Sequence, residues 1–409
     1  MDDIHEFHDF SRKLLQPSLL PRVREYVTWF RQAQQARRQG HAPPPPPDWA
    51  PVSINLDLTT ACNYRCDHCI DWDILNSGVK HKEEELLESL RQMAARGLKS
   101  VILIGGGEPT VYPRFVQVVQ LLKELGLQVA VVSNGGRNDR IYEAVQYMTA
   151  GDWVRLSLDS GTDETFQRMH RPRQKVTLEE ICGWVPRIKD RNPAVMIGFS
   201  FIVTWKGAQR DEAKIVENID EIVPAARLAK QYRFDYFSIK PFLIRAEETG
   251  SEVLDPTRAA EQMTAVVAKI RRAVQEAKQL EDEHFKVVES TNLVLLEKQS
   301  WQQFTRQPHQ CHMQFFRQVL TPHGLFNCPV YRSSAPAMIN DRRAYRDAES
   351  CQQTRHKLGE ALFRFDAAHH CREVTCLYHS TNWWLQDLIE HPEKLQQLSP
   401  QPERGDYYL

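Results

Sequence analysis

The sequence predicts an α/β fold: a partial (β/α)6 barrel of TIM-like plan, followed by a small, irregular, cysteine-rich C-terminal domain. Three observations point there. Strand-like and helix-like segments alternate from residue 52 to about 240, which implies a parallel sheet with crossover helices. Several of those strands share one polar face. From residue 309 to about 385 the alternation gives way to a stretch rich in Cys, His and Trp.

Candidate strands cover 53–58, 100–104, 128–132, 153–158, 195–203 and 233–239. Between them, residues 83–96 set Leu86, Leu87, Leu90, Met93 and Ala94 on one helical face before Gly97. Residues 113–125 repeat the plan with Phe115, Val118, Val119 and Leu122 before Gly126. A glycine just past the last turn is a normal helix terminator. A further helix is expected over 256–281 and a short strand near 285–288.

Open sheet or barrel is decided by which side of each strand is polar, since neighbouring side chains point to opposite faces. In the first strand Ile54, Leu56 and Leu58 oppose Ser53, Asn55, Asp57 and Thr59; in the fourth Val154, Leu156 and Leu158 oppose Arg155, Ser157 and Asp159. The fifth sets Val195, Ile197, Phe199, Phe201 and Val203 against Ser200 and Thr204, and the sixth sets Phe237 and Ile239 against Ser238 and Lys240. A sheet covered on both faces is apolar on both, so a shared polar face predicts a lumen lined for a ligand.

Residues 1–50 read as a helical extension: Val23, Val27 and Phe30 recur among arginines, and Pro43 to Pro47 follow as a polyproline tether. The expected domains are then 51–255 for the barrel core, 256–308 for a helical connection, 309–385 for the cysteine-rich domain and 386–409 for a tail. The extension is expected to dock on its own chain rather than on a partner.

Composition narrows the function. Lys and Arg number 52 against 53 Asp and Glu, a net charge of −1 with 42% hydrophobic residues. That balance does not suit a dedicated nucleic-acid binder. No apolar run of about 18 residues is present, and the opening MDDIHE lacks the basic and apolar regions of a signal peptide. A cytoplasmic protein is expected, with no membrane span. Nine cysteines in that compartment favour metal ligation over disulfides.

The first strand runs into TTACNYRCDHC, which spaces Cys62, Cys66 and Cys69 as Cys-x3-Cys-x2-Cys at a strand's carboxyl end, where barrels place active sites. Three close thiolates suit three corners of a [4Fe-4S] cluster with one iron left without a protein ligand. A zinc site is the alternative, with His68 as a fourth ligand. Strand 100–104 ends in GGGEP and strand 128–132 in SNGG.

These three motifs, in this order, resemble the radical SAM superfamily. The resemblance implies a catalytic [4Fe-4S] cluster on Cys62, Cys66 and Cys69. It further implies that S-adenosylmethionine is held at its methionine end by Gly106, Gly107 and Glu108 and at its ribose by Ser133 and Asn134. Ser157 matches the family's carboxylate contact, and Arg168 is the candidate basic partner. The family's chemistry is reductive cleavage to a 5′-deoxyadenosyl radical that abstracts hydrogen from substrate, fed by an electron donor such as flavodoxin or ferredoxin. Asp159 and Lys240, on the lumen face, are the candidate catalytic residues; an internal ion pair between them is the plainer alternative. His68 replaces an aromatic residue frequent in the family before the third cysteine.

Cys311, Cys328, Cys371 and Cys376 resemble the ligands of the twitch or SPASM extensions, which hold auxiliary clusters. A second [4Fe-4S] cluster is implied, with zinc competing because His369, His370 and His379 are near in sequence, and with Cys351 as a substitute ligand. Cys182 reads as a core thiol. Without a peptide-binding domain in the first 50 residues, a small-molecule substrate of sugar, cyclitol or nucleoside type is expected. Peptide or protein modification and a non-catalytic metal-stabilised scaffold are the alternatives.

Overall fold

The structure is a computed structural model and describes residues 8–210, 213–246, 251–254 and 260–409. The first four residues of the expected 256–281 helix lie outside that range. Ten strands matter here: β1 (Ser53–Leu56), β2 (Ser100–Leu103), β3 (Gln128–Ser133), β4 (Trp153–Ser157), β5 (Met196–Val203), β6 (Tyr236–Pro241), β7 (Lys286–Glu289), β8 (Arg317–Thr321), β9 (Gly324–Phe326) and β10 (Met338–Asn340). The chain divides into two compact units, neither a single stretch: residues 1–55, 81–101 and 302–409, and residues 56–80 and 102–301.

In the second unit β3, β4, β5, β6 and β7 pair in parallel, in the order β7-β6-β5-β4-β3. This is the sheet of a partial TIM-like barrel. Its apolar face buries Val154, Leu156, Ile197, Phe199, Phe201, Val203, Phe237 and Ile239. The other face is polar in three tiers. Arg155, Gly198 and Tyr236 share the lowest tier; Ser157, Ser200 and Ser238 the middle one; Ile202 and Lys240 the upper one, where Asp159 joins them by accepting the Ile202 amide at 2.6 Å. The sixth strand begins at Tyr236, not at the expected 233. Arg233, at φ +64°, follows Tyr232, the C-cap of the preceding helix Ile222–Gln231, and donates its N–H to Lys230 O at 3.1 Å.

The first unit centres on β1, β8, β9 and β10; the last three form an antiparallel meander. The helix Leu20–Arg38 buries Leu20, Val23, Tyr26, Val27, Phe30 and Ala33 at spacings of three and four, the pattern of one helical face. Tyr26 packs on Phe315 and Phe316, and Phe30 stacks on Phe363 with ring centres 5.2 Å apart. The prolines after it are not a free tether. Trp29 Nε1 donates to the Pro44 carbonyl at 3.0 Å and Arg355 donates to that of Pro46, because a proline run has no N–H of its own but keeps every carbonyl available.

The expected tail boundary at 386 also moves, since helix His379–Glu390 runs through it. Residues 401–409 are tied to the start of the chain: Gln401 N–H donates to Leu15 O, Gln16 Nε2 to Asp406 O and Lys13 Nζ to Tyr408 O, at 3.0, 3.0 and 2.7 Å. Tyr408 and Leu409 are buried, which explains why so polar a segment is ordered. Among the described residues no helix is long and apolar enough to cross a membrane.

Candidate cluster and cofactor site

The cysteine loop follows β1 and docks on the end of the helix Asp163–His170. That helix starts at Thr162, whose hydroxyl accepts the Thr165 amide, and stops at Arg171 in the left-handed region at φ +47°. Its last carbonyls have no helical partner. They accept from the loop instead: His170 O from Arg65 N–H at 3.1 Å, Met169 O from Asp67 N–H at 3.2 Å. The loop's other wall is the GGGEP turn. A Cβ on Gly107 would stand 2.2 Å from the Ala61 carbonyl oxygen, and Glu108 N–H donates to that oxygen at 2.9 Å. Only a residue without a side chain lets the two backbones approach this closely. Gly106, at φ +64°, donates its N–H to Asp71 at 3.3 Å.

Cys62, Cys66 and Cys69 act on one another electrostatically. Burial pushes the Cys66 thiol well up, and the neighbouring Cys69 and Cys62 push it further. Cys62 rises to about 11 through burial and the nearby Glu108. Three thiols so placed ionise together only against a strong positive charge, which a bound metal centre supplies.

Glu108, Ser133 and Asn134 come together. Ser133 Oγ and the Asn134 amide donate to the Glu108 carboxylate at 2.7 and 2.8 Å, and Thr110 donates through both its amide and its hydroxyl. Burial raises the Glu108 pKa, and these bonds pull against it. The Asn134 side chain reaches back to the cysteine loop, donating to Asn63 at 2.8 Å. Ser157 stands in the serine tier of the lumen face. Arg168 does not join the site: it is exposed on the outer face of its helix beside Glu164, because its neighbours Phe166, Met169 and His170 take the buried positions.

Asp159 is not an open lumen carboxylate. It sits at φ +52°, buried, and its Oδ2 accepts from His68 Nε2 at 2.9 Å with His170 Nε2 3.3 Å away. Burial alone would raise its pKa; the bonds from His170 and His68 outweigh that and hold it well below the usual carboxylate range. His170 also donates from Nε2 to Leu158 O at 2.9 Å and places Nδ1 3.2 Å from the Cys66 sulfur. Asp159 therefore braces the cysteine loop through two histidines, and its pairing with Lys240 is at most long-range. Sequence reasoning missed His170. The only signal was its place one helical turn after Phe166, on the apolar side of the MHRP segment.

The second cysteine set lies in the first unit. Burial raises Cys371, with Cys376, Cys311 and Cys328 adding to it; Cys376 responds likewise to Cys328 and Cys311. Cys351 is elsewhere, on the helix Ala348–Arg364, with Arg96, Asp347 and Asp48 as its charged neighbours. Cys182 is buried. Among the described residues, the one trio of His, Cys, Asp or Glu ligand atoms mutually within 4.8 Å is His68, Asp159 and His170. Neither cysteine set closes that tightly. The thiols of both sets are soft donors of the kind that zinc and iron–sulfur clusters take.

The fold and site together are a parallel β/α partial barrel with a three-cysteine loop and a glycine-cradled carboxylate at the strand ends. Residues 56–238 match the family model of the radical SAM superfamily. The chain is 32% identical over 108 residues to an S-adenosylmethionine-dependent nucleotide dehydratase of Thermoplasmatales archaeon (strain ISO4-H5), covering 26% of this chain and 38% of that one. Among solved structures, Streptococcus suis SuiB bound to S-adenosylmethionine matches with a TM-score of 0.53 at 12% identity, covering 78% of this chain and 68% of SuiB. A tagged form of anSMEcpe with bound AdoMet gives 0.52 at 12% identity, covering 87% and 97%. The chain thus spans well under half of the curated relative, and the two structures share its fold.

Proposed function

We propose that this protein is a radical enzyme that cleaves S-adenosylmethionine reductively and takes hydrogen from a small molecule of sugar, cyclitol or nucleoside type. The observation that carries the reading is the meeting of Cys62, Cys66 and Cys69 with the Glu108 carboxylate, which Ser133 and Asn134 bond directly. A [4Fe-4S] cluster on the three thiolates, when bound, supplies one electron to S-adenosylmethionine and an open iron for its amino and carboxylate groups.

The chain's own residues do the rest. Glu108 accepts the ligand's ammonium and Gly106 and Gly107 offer backbone at close range. Asp159 fixes the cysteine loop through His68 and His170, and the polar tiers of the lumen receive the substrate. Four further cysteines, Cys311, Cys328, Cys371 and Cys376, are assigned to an auxiliary cluster. A flavodoxin- or ferredoxin-type protein is the electron donor, and reduced thiols in both sets fit the cytoplasm.

A small substrate is favoured over a peptide because the helix Leu20–Arg38, the segment best suited by composition to hold a peptide, spends its apolar face on the first unit's own aromatic core. Relatives named nucleotide dehydratases point the same way.

The test is iron and acid-labile sulfide per chain after anaerobic reconstitution, wild type against a Cys62, Cys66 and Cys69 triple Ala variant, with 5′-deoxyadenosine formation under a strong reductant. About eight irons falling to about four, with cleavage abolished, is expected. About four falling to none keeps the enzyme and removes the auxiliary cluster. Zinc without iron in both proteins overturns the reading in favour of a metal-stabilised scaffold.

A further inference from the structure

Two cations on the lumen face are left unused by the assignments above. Arg155 stands in the lowest tier with Gly198 and Tyr236, and Lys240 in the upper tier with Ile202. Among the described residues neither forms an ion pair, and the buried Nε of Arg155 has no hydrogen-bond partner. The one acid that acts on Lys240 is Asp159, already committed to His68, His170 and the Ile202 amide. Burial pushes the Lys240 pKa well down and the Arg155 charge pushes it further, against the pull of Asp159.

The neighbourhood is built around this pair. A Cβ on Gly198 would lie 2.0 Å from Tyr236 Cζ, so the absence of a side chain lets the Tyr236 ring lie across β5, where its hydroxyl end acts on Arg155. Between the two charges runs the serine tier, and among the described residues no side-chain hydrogen bond ties up Ser200 or Ser238. A buried guanidinium N–H left without a partner costs stability. The Trp153 ring, 5.3 Å from the Arg155 guanidinium, offsets part of that cost but takes no hydrogen bond from Nε. An oxyanion would offset the rest: the guanidinium fork, the ammonium and hydroxyl donors are the set that recognises phosphate and carboxylate.

We propose that Arg155 and Lys240, with Ser200 and Ser238 between them, bind a phosphate or carboxylate group of the substrate inside the barrel. The proposal rests on the reading of the lumen as the substrate site, and it narrows the substrate to an anionic small molecule. A neutral sugar or cyclitol is thereby excluded.

The experiment is calorimetric titration of the anaerobically reconstituted protein with inorganic phosphate, with acetate and with S-adenosylmethionine, for wild type, Arg155→Gln, Arg155→Lys and Lys240→Gln. Wild type is expected to bind one of the two anions, and the tighter one identifies the group. Each charge-removing variant should weaken that binding by about tenfold or more, Arg155→Lys by less, with the loss confined to the anion. Three results overturn the proposal: no binding of either anion by wild type, equal binding by all four proteins, or a parallel loss of S-adenosylmethionine binding, which would give the cations to that ligand's own carboxylate. Cleavage of S-adenosylmethionine by the same wild-type sample separates the two readings. Cleavage without anion binding fails only this proposal, and no cleavage fails the function itself.

Discussion

The Tyr26 hydroxyl lies 2.6 Å from His312 Nδ1, and His312 Nε2 lies 2.9 Å from Gln386 Oε1. With its proton on Nε2 the imidazole donates to Gln386 and accepts from Tyr26, and burial keeps it neutral, its pKa down at about 4. The helix Leu20–Arg38 is thereby bonded to the residue that follows Cys311. Tyr26→Phe leaves a buried acceptor unpaired while keeping the ring, and should destabilise the protein by about 1–3 kcal/mol. Denaturant unfolding monitored in the holoprotein checks this; an unchanged midpoint would mean that the bond is not made.

Asp159→Asn tests the brace under the cysteine loop. Asparagine tolerates the left-handed backbone at this position, so the substitution removes charge without adding strain. Loss of the charge-assisted bonds to His68 and His170 should cost about 1.5–3 kcal/mol and speed iron release to a chelator from the Cys62, Cys66 and Cys69 site. Wild-type release kinetics would show that the histidines hold the loop without Asp159.

The auxiliary set is separable by single substitutions. Cys376→Ala should remove about four irons per chain, since Cys376 acts on Cys371 and responds to Cys311 and Cys328. Cys351→Ala should remove none, its charged neighbours being Arg96, Asp347 and Asp48. Equal iron loss from the two variants would contradict the grouping.

Glu297 gives the second unit a pH response. Burial, with Glu289 beside it and Arg271 and Lys278 opposing, raises its pKa to about 7 from an ordinary 4.5. Between those values the folded state holds more protons than the unfolded one, so stability falls as pH rises, and the loss is complete above about pH 7. Glu297→Gln should therefore melt above wild type at pH 8 and converge with it near pH 4.5. Parallel melting curves across that range would falsify the assignment.

Much of this was legible because period-2 alternation is a local property. Val154 to Asp159 and Ile197 to Val203 announce which side faces the lumen, and the structure puts Ser157, Ser200 and Ser238 level on it. The spacing of Cys62, Cys66 and Cys69 and the GGGEP and SNGG turns point to the candidate site for the same reason: each is short, and each sits at a strand end. What stayed hidden depends on pairs distant in sequence. Nothing near Asp159 reveals that His68, 91 residues earlier, takes its carboxylate. Nor does the arginine-rich text of residues 22–38 reveal that Tyr26 and Phe30 meet Phe315 and Phe363. Arg168 lies off the buried stripe that the helical spacing of Phe166, Met169 and His170 marks.

The three-part make-up of the first unit has a consequence for biosynthesis. Its aromatic core draws on residues 20–38, 315–316 and 363, and its first helices are bonded to residues 401–408. A ribosome releases those pieces far apart in time, whereas residues 102–301 of the second unit emerge without interruption and can collapse as they appear. The cysteines at 311, 328, 371 and 376 thus belong to the unit completed after the second. The auxiliary centre proposed for them is therefore one whose insertion follows synthesis of residues 302–409.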